Sequence, residues 1–289
     1  MNNKHTDIND DEIRIISSDG NKPIRARRKM PHTLICATVI TILAICAVTI
    51  TLFPAGKDTE ENVTDAKQHE LPMQEILTAQ NSAPREKAYT ARKDTVAGSA
   101  ELSILVPHNA TATLEIGEEV SNDSTAVLIA QAADIRNDNG KIVGSYVVKG
   151  ELVSKSEAKA GFCSIINGEI SIGVSDATPM LEQALVSDGY FFRQYPLVVA
   201  GQIVENKPKG KSIRKALAEI NGKICVIVSK DRLTFHGFSQ ALTDIGVHNA
   251  IYLVGGTSFG YYVTDTGQRI TFGEVSEEKA ENINYIVWR

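Results

Sequence analysis

The chain has 289 residues, 43% hydrophobic and 22% charged, and carries a formal net charge of −5 from 30 basic and 35 acidic side chains. That balance argues against nucleic acid, which a protein meets with a basic face. Four cysteines are too few for a disulfide scaffold, and a mean hydropathy of −0.11 excludes a polytopic membrane protein but not a single span.

In chain order, residues 1–32 read as a disordered cytoplasmic tail, with acids at Asp7, Asp10, Asp11 and Glu12 in its first part. Thr33 to Phe53 then runs without a charge. A helix of that length is about 32 Å long, enough to cross the hydrocarbon core. Lys22, Arg25, Arg27, Arg28 and Lys29 precede the run, and Lys57, Asp58, Glu60 and Glu61 follow it. The basic flank stays inside, so the expected topology is single-pass, with a cytoplasmic N-terminus and an extracytoplasmic, periplasmic C-terminal domain. The competing reading is a cleaved signal peptide, but the leading segment is long for one and no small-x-small site follows Phe53. Residues 54–98 are rich in Lys, Glu, Asp, Thr, Gln and Ala and read as a flexible linker.

Residues 99–289 suit one domain. Short apolar runs predict strands at Leu102–Val106, Ala112–Ile116, Ala126–Ala132, Ile142–Val148, Phe162–Ile166, Glu169–Val174, Leu197–Val199, Gln202–Glu205, Ala216–Ile220, Lys223–Val228, Ala250–Val254, Tyr261–Thr264, Arg269–Phe272 and Asn284–Trp288. Asn167-Gly168 and Asn221-Gly222 fit type I′ hairpin turns, and Ala200-Gly201 and Thr266-Gly267 are weaker cases. Helices are expected at Pro179–Val186, after Asp176 or Thr178 as N-cap, and at Leu233–Ile245, ended by Gly246. The fold class is therefore α+β: a mixed, largely antiparallel sheet with a few packed helices, preceded by one transmembrane helix. Cys163 and Cys225 each fall in a strand, either as buried free thiols or as a disulfide pair.

Two segments carry candidate chemistry. The apolar strand ending in Gly255-Gly256-Thr257-Ser258 can bring bare backbone N–H groups and two hydroxyls to an anion; otherwise it is an ordinary glycine turn. Lys207, Lys209, Lys211, Arg214 and Lys215 form a basic cluster entering a strand. A forked guanidinium on Arg214 is a natural partner for a phosphate, whereas the loop lysines read as solvated. Gly210-Lys211-Ser212 lacks the first glycine and the strand–loop–helix setting of a phosphate-binding loop. Asp134 and Arg136 read as a charged pair at a strand end. His32, His236 and His248 do not form metal-ligand spacing, and no residue pattern names a cofactor. Calcium held by loop carboxylates such as Asp265 stays open.

The order of these elements resembles the phosphodiester glycosidase family, in particular its divergent Bacteroides-type versions. Pro196-Leu197-Val198 through Gly201 matches the family's P-L-V-x-x-G hairpin. Arg214-Lys215-Ala216-Leu217-Ala218 matches its R-T-A-I-G strand in Arg and Ala. Tyr252-Leu253-Val254-Gly255-Gly256-Thr257-Ser258 matches its N-L-D-G-G-G-S loop in the double glycine and Ser. The likeness covers about Ala126 to Arg289. Val254 stands where the family has an acid, and Ala132–Arg136 is the counterpart of its N-G-G-F-F element. The resemblance implies a hydrolase of N-acetylglucosamine-type phosphodiesters in the cell envelope, or a non-catalytic relative that binds envelope glycans or a partner protein. It implies Arg214, Gly255, Gly256, Thr257 and Ser258 as substrate-binding residues and Asp134 as the acid/base.

Overall fold

The computed structural model of the protein describes residues 14–15, 87–175, 179–274 and 282–289. The expected transmembrane helix at 33–53, the rest of the tail, the linker up to residue 86 and the expected N-cap at Asp176 or Thr178 lie outside the described residues. No described helix is long and apolar enough to cross a membrane.

The described strands are β1 (Arg14–Ile15), β2 (Tyr89–Ala97), β3 (Ala100–His108), β4 (Ala112–Ile116), β5 (Leu128–Gln131), β6 (Tyr146–Val148), β7 (Glu151–Ser154), β8 (Gly161–Ile166), β9 (Glu169–Val174), β10 (Tyr190–Gln194), β11 (Pro196–Val199), β12 (Gln202–Glu205), β13 (Ser212–Ile220), β14 (Lys223–Leu233), β15 (Asn249–Leu253), β16 (Gly260–Val263), β17 (Arg269–Phe272) and β18 (Asn284–Trp288). Two α-helices accompany them among the described residues, α1 (Pro179–Val186) and α2 (Phe235–Asp244). Instead of the single expected sheet there are three. The large one runs β1-β12-β11-β15-β13-β14-β3-β2, and the two smaller ones run β7-β6-β10-β8-β9 and β17-β16-β5-β18-β4. Neighbouring strands pair antiparallel throughout, for example β13 with β14 and β15.

Hairpin chemistry sets much of this order. Asn167-Gly168 joins β8 to β9 and Asn221-Gly222 joins β13 to β14, with φ of 53° and 82° and of 50° and 72°. Both residues of a type I′ turn need positive φ, which Asn and Gly accept at little cost.

The large sheet is a central layer. One face packs on α2, where Phe235, Phe238, Ala241, Leu242 and Ile245 meet Leu102, Ile104, Ala216, Ala218, Ile227 and Ala250. The other face sends Leu105, Leu217, Val226, Ile251 and Leu253 against Leu114, Leu128, Tyr146, Phe192, Ile286 and Trp288 of the smaller sheets. Alternation along β13 and β15 thus gives each strand one helix-facing and one sheet-facing row. Cys163 and Cys225 are both buried free thiols, one in each of these two cores.

Four of the described strands went unread in the sequence: β1, which lies in the segment expected as a disordered tail and pairs with β12, and β2, β7 and β10. β2 falls inside the segment expected as linker. Its exposed positions alternate with partly buried ones, because it is an edge strand with a wet face bearing Arg92 and Asp94. β7 is another edge strand, and β10 carries Arg193 and Gln194, polar residues that are nonetheless buried. Helix α2 begins two residues later than expected. Leu233 still belongs to β14, and the Thr234 side chain caps the helix by accepting the Gly237 N–H at 3.0 Å.

Candidate functional site

At one end of the large sheet, β13 and β14 slip register between Ile213 and Lys215. In this bulge the Arg214 N–H leaves the ladder and donates to Ser229 Oγ at 2.8 Å. The side chain turns to the α2 face and is 6% exposed. Its guanidinium lies 4.1 Å from the centroid of Phe235 and 5.6 Å from that of Tyr252. Nε donates to the Leu233 carbonyl at 2.9 Å, Nη2 to the Gly210 carbonyl, and Nη1 to the Tyr252 hydroxyl at 3.4 Å. Each terminal nitrogen carries a second N–H beyond these bonds. Glu219, farther along β13, accepts from Asn249 at 2.7 Å.

Tyr252 ties Arg214 to the glycine loop. Its hydroxyl also accepts the Gly255 N–H at 3.0 Å, so Arg214 and the loop are two hydrogen bonds apart. With both lone pairs engaged, the tyrosine keeps its own O–H to donate. Burial pushes its pKa up; the Arg214 charge works against that rise and the Asp134 charge adds to it. Arg214, Tyr252, Gly255 and Asp134 therefore share one neighbourhood.

The double glycine has a steric reason. A Cβ at Gly255 would lie 2.3 Å from the Tyr252 oxygen and 2.4 Å from the Ile213 carbonyl, and Gly256 has a left-handed φ of 61°. The N–H groups offered to an anion by the sequence reading turn inward. That of Gly255 goes to Tyr252, that of Gly256 to the Ile213 carbonyl at 2.8 Å, and that of Ser258 to the Gly255 carbonyl at 3.2 Å. Thr257 is exposed, and its carbonyl accepts from Glu274 at 2.7 Å. Ser258 Oγ donates to the Val254 carbonyl at 2.5 Å.

Asp134 does not pair with Arg136, whose guanidinium forks onto Asp138 at 2.8–2.9 Å. Asp134 Oδ2 accepts instead from Lys159, which also donates to Gln194 Oε1 at 2.9 Å and lies 4.3 Å from the Tyr195 centroid. Tyr195, Phe235 and Tyr252 form a continuous aromatic group, at centroid separations of 5.3 and 4.8 Å. The result is a carboxylate, two buried cations and an aromatic floor. Lys159, Gln194 and Tyr195 gave no sequence signal, since an isolated lysine looks the same whether solvated or buried. His236 is half-exposed on α2 and bonds Glu205. Among the described residues no three His, Cys, Asp or Glu side chains come together to hold a metal.

Lys215 sits on the opposite face of β13, 1% exposed, with Nζ 2.6 Å from Ser258 Oγ and 2.5 Å from the Ser258 carbonyl. A lysine inside an apolar strand was the one available hint. Burial lowers its pKa from 10.5 to about 8. Between those values the unfolded chain holds a proton that the folded chain has lost, so this group makes stability rise with pH across that window. Buried Cys225, pushed up to about 12, and Cys163, pushed up further, act in the opposite direction from about pH 9 upward. The Lys215 contribution is therefore read as a difference. Wild-type stability minus that of Lys215→Met should climb by about 3 kcal/mol from pH 8 to 10.5 in urea unfolding. A flat difference would refute it.

The sequence model of the phosphodiester glycosidase family matches residues 124–286. No curated protein sequence matches the chain. Among solved structures, the chain is similar to the catalytic domain of zebrafish N-acetylglucosamine-1-phosphodiester α-N-acetylglucosaminidase, auto-inhibited by its pro-peptide. Identity is 15%, with 72% of this chain and 84% of that one covered and a TM-score of 0.49. It is also similar to a hypothetical protein from Synechocystis, at 12% identity, with 72% and 64% covered and a TM-score of 0.47. The family match takes in β5 through β18 up to residue 286, with Asp134, Arg214 and the glycine loop, and since that is more than half of the chain, the protein belongs to the phosphodiester glycosidase family.

Proposed function

We propose that the protein is a membrane-anchored hydrolase of N-acetylglucosamine-type glycosyl phosphodiesters in the cell envelope. The observation that carries this reading is the Tyr252 hydroxyl, which joins Arg214 to the loop at Gly255 within the field of Asp134. The second N–H of each Arg214 terminal nitrogen and the Tyr252 O–H bind the non-bridging phosphate oxygens. Gly255 and Gly256 bring the loop close enough for exposed Thr257 to border the ligand, while Ser258, bonded to Lys215 and to the Val254 carbonyl, holds the loop from the other face. Asp134 accepts a proton from water as its oxygen adds to the sugar C1. The C1–O bond breaks and the phosphomonoester departs with the bonding electrons. The full-length chain should release free sugar from UDP-N-acetylglucosamine or another sugar phosphodiester. Absence of turnover across such a panel would end the hydrolase reading.

A second reading, a non-catalytic glycan-binding relative, is favoured by Val254 in the acid's place and by the inward-turned N–H groups of Gly255, Gly256 and Ser258. Binding of the same panel without turnover would select it.

Membrane anchoring rests on the uncharged run Thr33–Phe53 and its basic flank. Alkaline phosphatase fused after Arg289 should be active, and fused before Thr33 inactive; the reverse pattern would end the envelope assignment. Pairing of β1 with β12 requires both on one side of the membrane, so this topology and that pairing exclude each other and the same fusions decide between them.

A further inference from the structure

Strand β7 ends the sheet β7-β6-β10-β8-β9 and is paired on one side only. Its open edge carries Leu152 and Val153, 44% and 43% exposed, two of the four large apolar side chains left in water among the described residues. Such an edge is a template for another strand unless something blocks it. On β2, also an edge strand, Arg92 and Asp94 pair with each other. On the β7 segment Lys149, Glu151, Lys155 and Glu157 are all exposed, and none is hydrogen-bonded or ion-paired to a described residue. The register between β6 and β7 slips between Tyr146 and Val147, so Val153 has no residue opposite it in β6. Ser145 Oγ donates to the Ser156 carbonyl at 2.8 Å and accepts the Ser156 N–H at 3.3 Å, which turns both backbone groups of Ser156 inward. Neighbours in an extended chain point theirs to opposite edges, so Lys155 and Glu157 offer N–H and C=O outward. Exposed and half-buried positions alternate from Val153 to Ala158, as an extended chain requires.

The charges along this segment are antisymmetric about Val153. Glu151 lies two residues before it and Lys155 two after, Lys149 four before and Glu157 four after. Lys149, Glu151 and Val153 line one cleft with Ile116, Val120 and Val148, so these odd-numbered side chains share a face. Antiparallel pairing of two copies about a two-fold axis at Val153 sets the two Val153 residues opposite each other. It sets each Glu151 opposite Lys155 of the other copy and brings each Lys149, in the hairpin turn, to the other copy's Glu157. The neighbouring registers lack this match. An axis at Leu152 sets Lys149 against Lys155, and an axis at Ser154 sets Glu151 against Glu157. Like charges directly opposite each other destabilise a ladder, and opposite charges stabilise it. We propose that the open edge of β7 is a self-association surface, its partner a second copy of this chain, joining two five-stranded sheets into one of ten through the Val153 pair. This goes beyond the hydrolase reading and does not depend on it.

The experiment is disulfide cross-linking of the full-length chain in membranes, with Cys36 and Cys46 replaced by serine and Cys163 and Cys225 left as buried thiols. One cysteine is introduced at a time, as Leu152→Cys, Val153→Cys, Ser154→Cys or Val96→Cys. Directly opposed residues lie about 4.5–5.5 Å apart at Cα, within the span a disulfide bridges. Val153→Cys should therefore cross-link to a dimer at least about fivefold faster than Leu152→Cys or Ser154→Cys. It should exceed Val96→Cys by as much, although Val96 is 65% exposed on the β2 edge. Adding Glu151→Lys turns two opposite-charge pairs into two like-charge pairs and should slow the Val153→Cys cross-link about tenfold; adding Lys155→Glu as well should restore it. Circular dichroism melting checks folding, and Lys155→Glu alone serves if Glu151→Lys does not fold. A fastest cross-link at Leu152 or Ser154 would overturn the Val153 register. Rates no higher than that of Val96→Cys at all three positions would overturn the dimer. A Val153→Cys adduct with a different protein would overturn the second copy as occupant, and a rate indifferent to charge reversal would overturn the pairing of Glu151 with Lys155.

Discussion

Replacing Arg214 with lysine should weaken binding of UDP-N-acetylglucosamine by about 10- to 100-fold, read by isothermal titration. The guanidinium is aimed by three separate acceptors, Leu233 O, Gly210 O and the Tyr252 hydroxyl, and by the Phe235 ring beneath it. A lysine ammonium cannot reproduce a planar fork with fixed directions. Each charge-assisted bond lost to the ligand is worth about 1.5–3 kcal/mol, and about 1.4 kcal/mol is tenfold in affinity. Lys209→Ala is the control. Its ammonium is largely exposed, 3.8 Å from Glu205, where pairing contributes about 0–1 kcal/mol. It should change salt dependence and little else. Equal affinities for wild type and Arg214→Lys would show that the guanidinium serves only the fold, holding β13 to Gly210 and Leu233.

Phe238→Ala should destabilise the domain by about 3–5 kcal/mol in urea unfolding, the range for a buried aromatic truncated to alanine. Phe238 is 0% exposed, in the core between α2 and the large sheet with Leu242, Ala216 and Ala250. Neighbouring backbone keeps the cavity from closing, because α2 is capped by Thr234 and followed by Gly246 at φ 82°. Leu242→Ala, on the same face, should cost about 2–5 kcal/mol. Gln240→Ala, on the exposed face, should stay within about 0.5 kcal/mol. A Phe238→Ala loss below about 1 kcal/mol would mean that α2 does not cover the sheet as described. Because α2 also presents Phe235 to Arg214, a large loss here should be accompanied by weakened ligand binding.

Local chemistry was legible in the residues themselves. Asn167-Gly168 and Asn221-Gly222 announced two hairpins because few other dipeptides accept two positive φ values in succession. Strands β4, β9, β12, β17 and β18 and helix α1 fall at the bounds their apolar patterns predict. The Pro196 hairpin, the Arg214 strand and the Gly255-Gly256 loop also carried the family likeness, since each is a short motif contiguous in sequence. What stayed hidden depends on neighbours distant in the chain. β2 looked like linker because its outer face is charged, and only its pairing with β3 makes it a strand. Lys159 meets Asp134 across 25 residues and Gln194 across 35, and Lys215 meets Ser258 across 43. The sequence by itself determined the turns and the placement of the helices, because those follow from backbone preference and side-chain type over a few positions, and it nominated anion-binding residues from side-chain type alone. Only the tertiary structure decided that the loop N–H groups face inward and that Asp134 carries a lysine partner. A hydrogen bond or ion pair is set by distance in space, and three antiparallel sheets bring together groups that no local pattern relates.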